Sequence, residues 1–259
     1  MTFSFRYIKP VADTAFTLLL WAYFTVGYIC FFSLFYVLAF IFSRNREHSF
    51  QKLNHIFYKI FFLLVRAIPR LKLRIQDEVL SLRSCVIVSN HISYLDPILL
   101  ISLFEKHKTV VKSIFFRLPV FGQVMKYSGY VPSDGRGELS LLMADSLEKM
   151  GNYLSSGGNL FIFPEGTRSR DGRIGPFSKG AFKIAKRCHA PIKVLFIKNT
   201  DKLFCPGNFL FNTCVRNTVE VELIGSLEPD YENRTFSISE LTEQVRTLMS
   251  KTSGLKSEK

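Results

Sequence analysis

Two short stretches carry side chains suited to chemistry. The first is Asn90-His91-Ile92-Ser93-Tyr94-Leu95-Asp96, which follows the apolar run Cys85–Val88 after a single serine. Imidazole is the side chain whose ordinary titration lies near neutrality, so His91 can take up and return a proton. A carboxylate bonded to one ring nitrogen fixes the tautomer and leaves the other nitrogen free as base. Asp96 lies five positions after His91, a spacing that lets the carboxylate fold back on the ring where a turn runs into a helix. The competing reading is a helix-capping Asn or Asp beside an incidental histidine. The second stretch is Phe163-Pro164-Glu165-Gly166-Thr167-Arg168-Ser169, at the end of another apolar run. Gly166 permits close backbone approach to a ligand, Thr167 offers a hydroxyl, and Arg168 a forked cation suited to phosphate. Arg170, Arg173 and Lys179 follow, ahead of a helix expected near Gly180 whose N-terminus favours an anion. A solvated basic loop is the alternative. Glu165 tells against it by keeping a carboxylate beside the cations.

No Gly-x-Ser-x-Gly nucleophile elbow is present. His91 would therefore activate a substrate hydroxyl directly. The five cysteines, Cys30, Cys85, Cys188, Cys205 and Cys214, form no Cys-x-x-Cys pair, which reads as reduced thiols in a cytoplasm-facing domain and not as a disulfide framework or zinc site. A metal-dependent hydrolase using His91 and Asp96 lacks further ligands, since His48, His55, His107 and His189 show no partnering spacing.

The positioning elements follow from hydrophobic periodicity. Short β-rich runs occur at residues 85–88, 108–111, 160–163, 192–197 and 219–223. The last alternates, as a strand with one exposed face does, whereas those at 85 and 160 are continuously apolar, as buried strands are. Leu139, Leu142, Met143, Leu147, Met150 and Leu154 recur at helical spacing until Gly157-Gly158. Ser237 and Glu240 form a capping-box pattern ahead of Ile238, Leu241, Val245 and Leu248. Strands alternating with helices predict a single α/β domain with a central mixed sheet flanked by helices.

The 259 residues are 47% hydrophobic, include 26 phenylalanines, and carry a net charge of +13. A chain both apolar and basic points to an anionic surface, either nucleic acid or anionic lipid. No charged residue occurs between Thr14 and Ser43. One helix there would be about 45 Å long, more than a hydrocarbon core of about 30 Å, so it would cross at a tilt or bend near Gly27 and re-enter. Arg44, Arg46 and Lys52 after it, against Arg6 and Lys9 before, favour a cytoplasmic location for the rest of the chain. Residues 1–43 contribute only +1, so the basic character belongs to the remaining 216 residues. The segment His55–Arg66 reads equally as an interfacial helix or as a core-facing one. The expected organisation is a membrane-anchoring segment over residues 1–53, a catalytic domain over 54–250, and a polar tail over 251–259. A nucleic-acid partner is not expected, because no recognition motif accompanies the charge.

These residues resemble the 1-acylglycerol-3-phosphate acyltransferase family of glycerolipid acyltransferases. Asn90, His91 and Asp96 match its Asn-His-x-x-x-x-Asp motif, and residues 163–169 match its Phe-Pro-Glu-Gly-Thr-Arg-Ser motif unchanged. Lys112, Leu118-Pro119, Phe121-Gly122 and Gly129–Pro132 resemble its intermediate pattern, and Phe177, Lys179 and Gly180 the stretch after the second of these motifs. The resemblance spans roughly residues 55–225. It implies that His91 is the general base, oriented by Asp96. It also implies that Glu165, Gly166, Thr167 and Arg168, with Lys112 and Arg136, hold the acceptor. The reaction would move a fatty acyl chain from acyl-CoA or acyl carrier protein to the hydroxyl of a lysophospholipid, with no cofactor, at a membrane. Ser133-Asp134-Gly135-Arg136 departs from the family's Asp-Arg by one inserted glycine, Ile114 stands where a Glu is frequent, and Ala190–Val194 lacks a second proline. Another lysolipid acceptor, or a non-catalytic lipid-binding role on the same fold, are the other readings.

Overall fold

The computed structural model describes residues 3–254 apart from Glu138 and Arg170, with side chains from Lys9 onward. Arg170, the side chain of Arg6 and most of the polar tail therefore lie outside the described residues.

The N-terminal stretch, uncharged after Asp13, forms one continuous helical rod. It comprises α1 (Phe3–Ala22), a π-helical stretch Tyr23–Phe32, and α2 (Ser33–Phe42). The rod does not turn back at Gly27; the backbone there widens without reversing. Residues Lys9–Phe42 are long and apolar enough to cross a membrane. After a short turn the chain returns as α3 (Arg46–Arg66), capped by Asn45, whose Oδ1 accepts from the His48 backbone N–H at 3.0 Å. This helix runs unbroken through residue 53, where the sequence reading divides anchor from domain.

The inner face of α3 buries Phe50, Phe57, Phe61 and Val65, so the core-facing reading of 55–66 describes that side. Its outer face leaves Ile56, Ile60 and Leu63 exposed among Lys52, Lys59 and Arg66. Phe57 is the hub of the contact with the rod: it stacks on Tyr23 at 4.9 Å and meets Phe32 edge-on at 4.8 Å. Each such buried ring contributes about 1.5–3 kcal/mol. Polar bonds fix the register. Tyr36 Oη donates to Asn54 Oδ1 at 2.6 Å, and Asn54 Nδ2 donates to Tyr130 Oη at 3.1 Å. Tyr130 Oη in turn lies 2.6 Å from His107 Nε2. Burial pushes the His107 imidazole down to about 3, keeping it neutral as acceptor. At the other end, Asp13 Oδ1 accepts from the Thr213 backbone N–H at 2.7 Å and from its hydroxyl at 2.6 Å.

The sheet has seven strands: β1 (Leu71–Ile75), β2 (Val86–Ser89), β3 (His107–Val111), β4 (Val131–Pro132), β5 (Asn159–Ile162), β6 (Ile192–Lys198) and β7 (Asn217–Leu227), in the order β1-β7-β6-β2-β5-β3-β4. Only the β6–β7 pair is antiparallel, so the mixed α/β expectation holds. Every residue of β2 and β5 is buried, as the apolar runs 86–88 and 160–162 within them require. Two strands lie outside the sequence reading. β1 alternates Leu-Lys-Leu-Arg-Ile with only its apolar residues turned inward, and β4 is two residues long.

The remaining helices are α4 (Asp77–Leu80), α5 (Leu95–Leu103), α6 (Phe121–Tyr127), α7 (Leu139–Glu148), α8 (Met150–Ser155), α9 (Gly180–Arg187), α10 (Thr200–Leu203) and α11 (Ile238–Ser253). The periodicity over 139–154 thus spans two helices, ended at Gly157, whose φ of 92° only glycine takes readily. Ser237 caps α11 through Oγ, which accepts from the Glu240 backbone N–H at 3.3 Å. One core lies between the sheet and α3, α5 and the rod; a second lies between the opposite face and α9 and α11.

Candidate active site

The ends of β2 and β5 place both chemical motifs at one edge of the sheet, where open α/β folds gather their sites. Asn90 directly follows β2 and extends its ladder with a side chain. Its Nδ2 donates to Ile197 O at 2.8 Å, and its Oδ1 accepts from the Ile197 N–H at 2.7 Å. With Asn90 pinned, the chain turns and presents His91.

Asp96 occupies the first turn of α5, where the helix dipole favours a negative charge. It is fully buried yet saturated with donors. Oδ2 accepts from His91 Nδ1 at 2.9 Å, from the Ile92 N–H at 2.7 Å and from the Ser93 N–H at 2.8 Å. Oδ1 accepts from the Thr200 hydroxyl at 2.5 Å. A carboxylate facing Nδ1 makes that nitrogen the N–H donor, so the Nε2 lone pair is the one available as base. The imidazole side chain is 16% exposed and stacks on Phe163, ring centroids 4.4 Å apart. The incidental-histidine reading explains none of this convergence. Nor do carboxylate oxygens already taken by four donors suit a metal ligand, and among the described residues no group of three or more metal-binding side chains gathers.

Glu165 braces the site. Oε1 accepts from the His91 backbone N–H at 3.1 Å and Oε2 from the Gly175 N–H at 3.2 Å. Burial pushes its carboxyl upward, against the pull of those two donors. The Ser169 N–H adds a bond to His91 O at 2.8 Å, so the two loops are laced together. Each oxygen of Glu165 thus accepts from a backbone N–H, which ties the His91 turn to the loop at Gly175. Gly166 turns the loop at φ 67°, leaving Thr167 exposed at the rim. The Arg168 guanidinium lies 3.3 Å over the Tyr94 ring, and its Nη1 is buried with no hydrogen-bond partner. That unspent donor beside the base is suited to an anionic oxygen.

Other cations from the sequence reading lie apart. Arg173 pairs with Asp171 at 3.7 Å, and Lys179 donates to Ser239 at 2.7 Å. Lys112 follows β3 and is exposed. Arg136 follows β4, three strands from β2, with its side chain 90% exposed and paired with Asp134 at 3.8 Å. The structure does not bring Arg136 to the His91 cluster; the inserted Gly135 lies in the loop that carries it. Thr200, Phe163 and Tyr94 join the cluster instead. Tyr94 and Phe163 lie inside the two motifs but are not among the site residues read from the sequence; Thr200, 104 positions from Asp96, carries no local signal.

Fold and site together define an α/β protein built around a His–Asp pair at the carboxyl edge of its sheet. Comparison with known proteins gives the family. The acyltransferase family profile matches residues 70–198, and the chain belongs to that family. A chloroplastic 1-acyl-sn-glycerol-3-phosphate acyltransferase of Brassica napus is 40% identical over 127 residues, 48% of this chain and 36% of the relative. The 1-acyl-sn-glycerol-3-phosphate acyltransferase of Saccharomyces cerevisiae is 32% identical over 180 residues, 67% of this chain and 56% of the relative. The chain thus spans about a third to just over half the length of these relatives. In fold it is similar to the crystal structure of the 1-acyl-sn-glycerophosphate acyltransferase PlsC of Thermotoga maritima. The TM-score is 0.71 at 23% identity, over 95% of this chain and 96% of that one.

Proposed function

We propose that this protein transfers a fatty acyl chain from a thioester donor, acyl-CoA or acyl carrier protein, to the free hydroxyl of 1-acylglycerol-3-phosphate, yielding phosphatidic acid. The observation that carries the reading is the His91–Asp96 pair set beside the unpartnered Arg168 Nη1. His91 Nε2 takes the acceptor hydroxyl proton as that oxygen attacks the thioester carbonyl. Asp96 stabilises the imidazolium that forms. The tetrahedral intermediate collapses by breaking the C–S bond, and the departing thiolate recovers the proton from His91. Ester and free thiol result, with no cofactor required. Arg168 and Thr167 hold the acceptor phosphate, and Glu165 holds the loop. Lys112, exposed after β3, draws the anionic acceptor toward this edge of the sheet.

The apolar rod attaches the enzyme to one leaflet. Asp13 is bonded to Thr213, Tyr36 to Asn54, and Phe40 packs on Tyr127 at 5.1 Å. Contacts with the domain over this length oppose a crossing helix that leaves its domain to one side. Its outward residues, among them Leu18, Val26, Ile29, Leu34 and Ile41, are exposed and would enter the lipid, with the catalytic domain on the cytoplasmic face. In a background without native cysteines, Val11→Cys and Ser43→Cys should both label from that face; labelling from opposite faces would show a span.

The activity is tested by thiol release from both donors with a panel of lysolipids. Release that requires 1-acylglycerol-3-phosphate supports the reading. Release dependent on a different lysolipid alone would replace the acceptor, and silence with every pair would remove the reaction.

A further inference from the structure

A groove at the far side of the sheet is lined by Arg70, Lys72, Arg74, Arg216 and Thr218. All four cations are exposed. Among the described residues only Arg74 has an ion-pair partner, Glu220 at 3.5 Å.

The topology ties this groove to the site. β1 runs parallel to β7, and β7 antiparallel to β6, so β1 and β7 begin at the edge where β2, β5 and β6 end. Arg70 immediately precedes β1 and Arg216 immediately precedes β7. Asn199, the residue after β6, donates to Thr218 O at 2.8 Å and accepts from Asn217 Nδ2 at 3.0 Å. Its neighbour Thr200 bonds Asp96. β1 lies three strand spacings from β2, or about 14 Å. Arg168 comes instead from the loop after β5, on the side of β2 away from β6, and its guanidinium lies over Tyr94. The sheet edge that carries His91 thus offers two separate places that attract anions, Arg168 on the loop after β5 and the groove at β1 and β7, which suits a reaction between two anionic substrates.

The facing of the groove indicates what fills it. Leu71, Leu73, Val219 and Val221 pack into the core beneath α3 and the apolar rod. Lys72 and Arg74 alternate with them and so point to the opposite face, away from the lipid-facing side. A soluble anion, not a bilayer, has access there. Cations on an edge strand also deter strand pairing, but Arg70 and Arg216 lie outside the strands. Arg70 moreover holds φ 66°, an unfavourable position for a non-glycine residue.

We propose that this groove binds the phosphate groups of the thioester donor, the phosphorylated end of the pantetheine arm in coenzyme A or on a carrier protein, while the arm lays the thioester toward His91. The proposal rests on the acyltransferase reading.

The test is the variant Lys72→Gln/Arg216→Gln, assayed with acyl-CoA, with acyl carrier protein and with acyl-pantetheine, which has no phosphate. Coenzyme A binding is titrated directly in parallel, and flotation on anionic vesicles is measured. The groove predicts a KM at least about tenfold higher for a phosphorylated donor, with the KM for acyl-pantetheine and for the lysolipid essentially unchanged. A rise with acyl-CoA or with the carrier alone names the source. An equal change with all three donors, no change with any, or a loss confined to vesicle binding overturns the proposal. A wild-type protein that transfers no acyl group yet binds coenzyme A, and loses that binding in the variant, refutes the reaction but keeps the groove. An active wild type whose donor KM the variant leaves untouched refutes the groove alone.

Discussion

Replacing Asp96 with Asn separates charge from geometry at the candidate site. Oδ2 accepts three N–H donors, from His91, Ile92 and Ser93, whereas Oδ1 among the described residues meets only the Thr200 hydroxyl. An Asn side chain will therefore set its carbonyl oxygen in the Oδ2 position and its NH2 toward Thr200, whose hydroxyl can turn to accept. The loop, the His91 tautomer and the ring orientation all survive, and only the negative charge is lost. A unit charge about 4 Å from the imidazolium is worth about 4 kcal/mol at an effective dielectric near 20. The amide dipole recovers part of this, leaving a deficit of about 3 kcal/mol in the transition state, or a fall of about a hundredfold in kcat. Asp96→Ala differs in kind, because it strands the Ile92 and Ser93 N–H groups at about 1–3 kcal/mol each and loosens the fold. The assay is steady-state thiol release from acyl-CoA with saturating lysolipid, beside thermal unfolding of each variant in detergent. Wild-type kcat in Asp96→Asn would refute the charge argument. Unfolding as severe as that of Asp96→Ala would refute the assignment of donors.

The same contacts predict further outcomes. Thr200→Val keeps shape but removes the donor to Asp96 Oδ1, and should cost about 1–3 kcal/mol in the unfolding free energy and lower kcat without raising the lysolipid KM. Glu165→Gln can accept from only one of the His91 and Gly175 N–H groups and turns its NH2 on the other, so it should lower stability by a similar amount; unchanged unfolding would contradict the brace. Burial holds His107 at about 3 against an ordinary 6.5, so below pH 6.5 the unfolded chain binds a proton that the folded one refuses. Stability then falls as pH falls, by about 2 kcal/mol between pH 7.5 and pH 5, and His107→Gln should flatten that slope in thermal unfolding.

How much of this is legible in the sequence depends on how local the cause is. His91 and Asp96 lie five residues apart, so a single turn into a helix joins them and the spacing itself points to the pair. The buried strands β2 and β5 declare themselves by unbroken apolar residues. Thr200 reaches Asp96 from 104 positions away, a contact that exists only because β6 lies beside β2. Glu165 reads as a ligand group when seen among Thr167 and Arg168, but the backbone donors that claim its oxygens come from the His91 turn and from Gly175. β1 escapes because its alternation of leucines with Lys72 and Arg74 is short and preceded by a helix. Arg136 lies in the loop after β4, three strands from β2, a separation set by the strand order and not by local spacing. The apolar rod is plain in composition, while its fastening depends on the bonds of Tyr36 to Asn54 of α3 and of Asp13 to Thr213, 200 positions away.

The central claim is that His91 removes the proton from the acceptor hydroxyl, and the most direct test is acceptor-dependent thiol release by His91→Ala in membranes, with folding checked by thermal unfolding. The account predicts a loss of about a hundredfold to ten-thousandfold in kcat with the lysolipid KM little changed; release at the wild-type rate from the folded variant would contradict it.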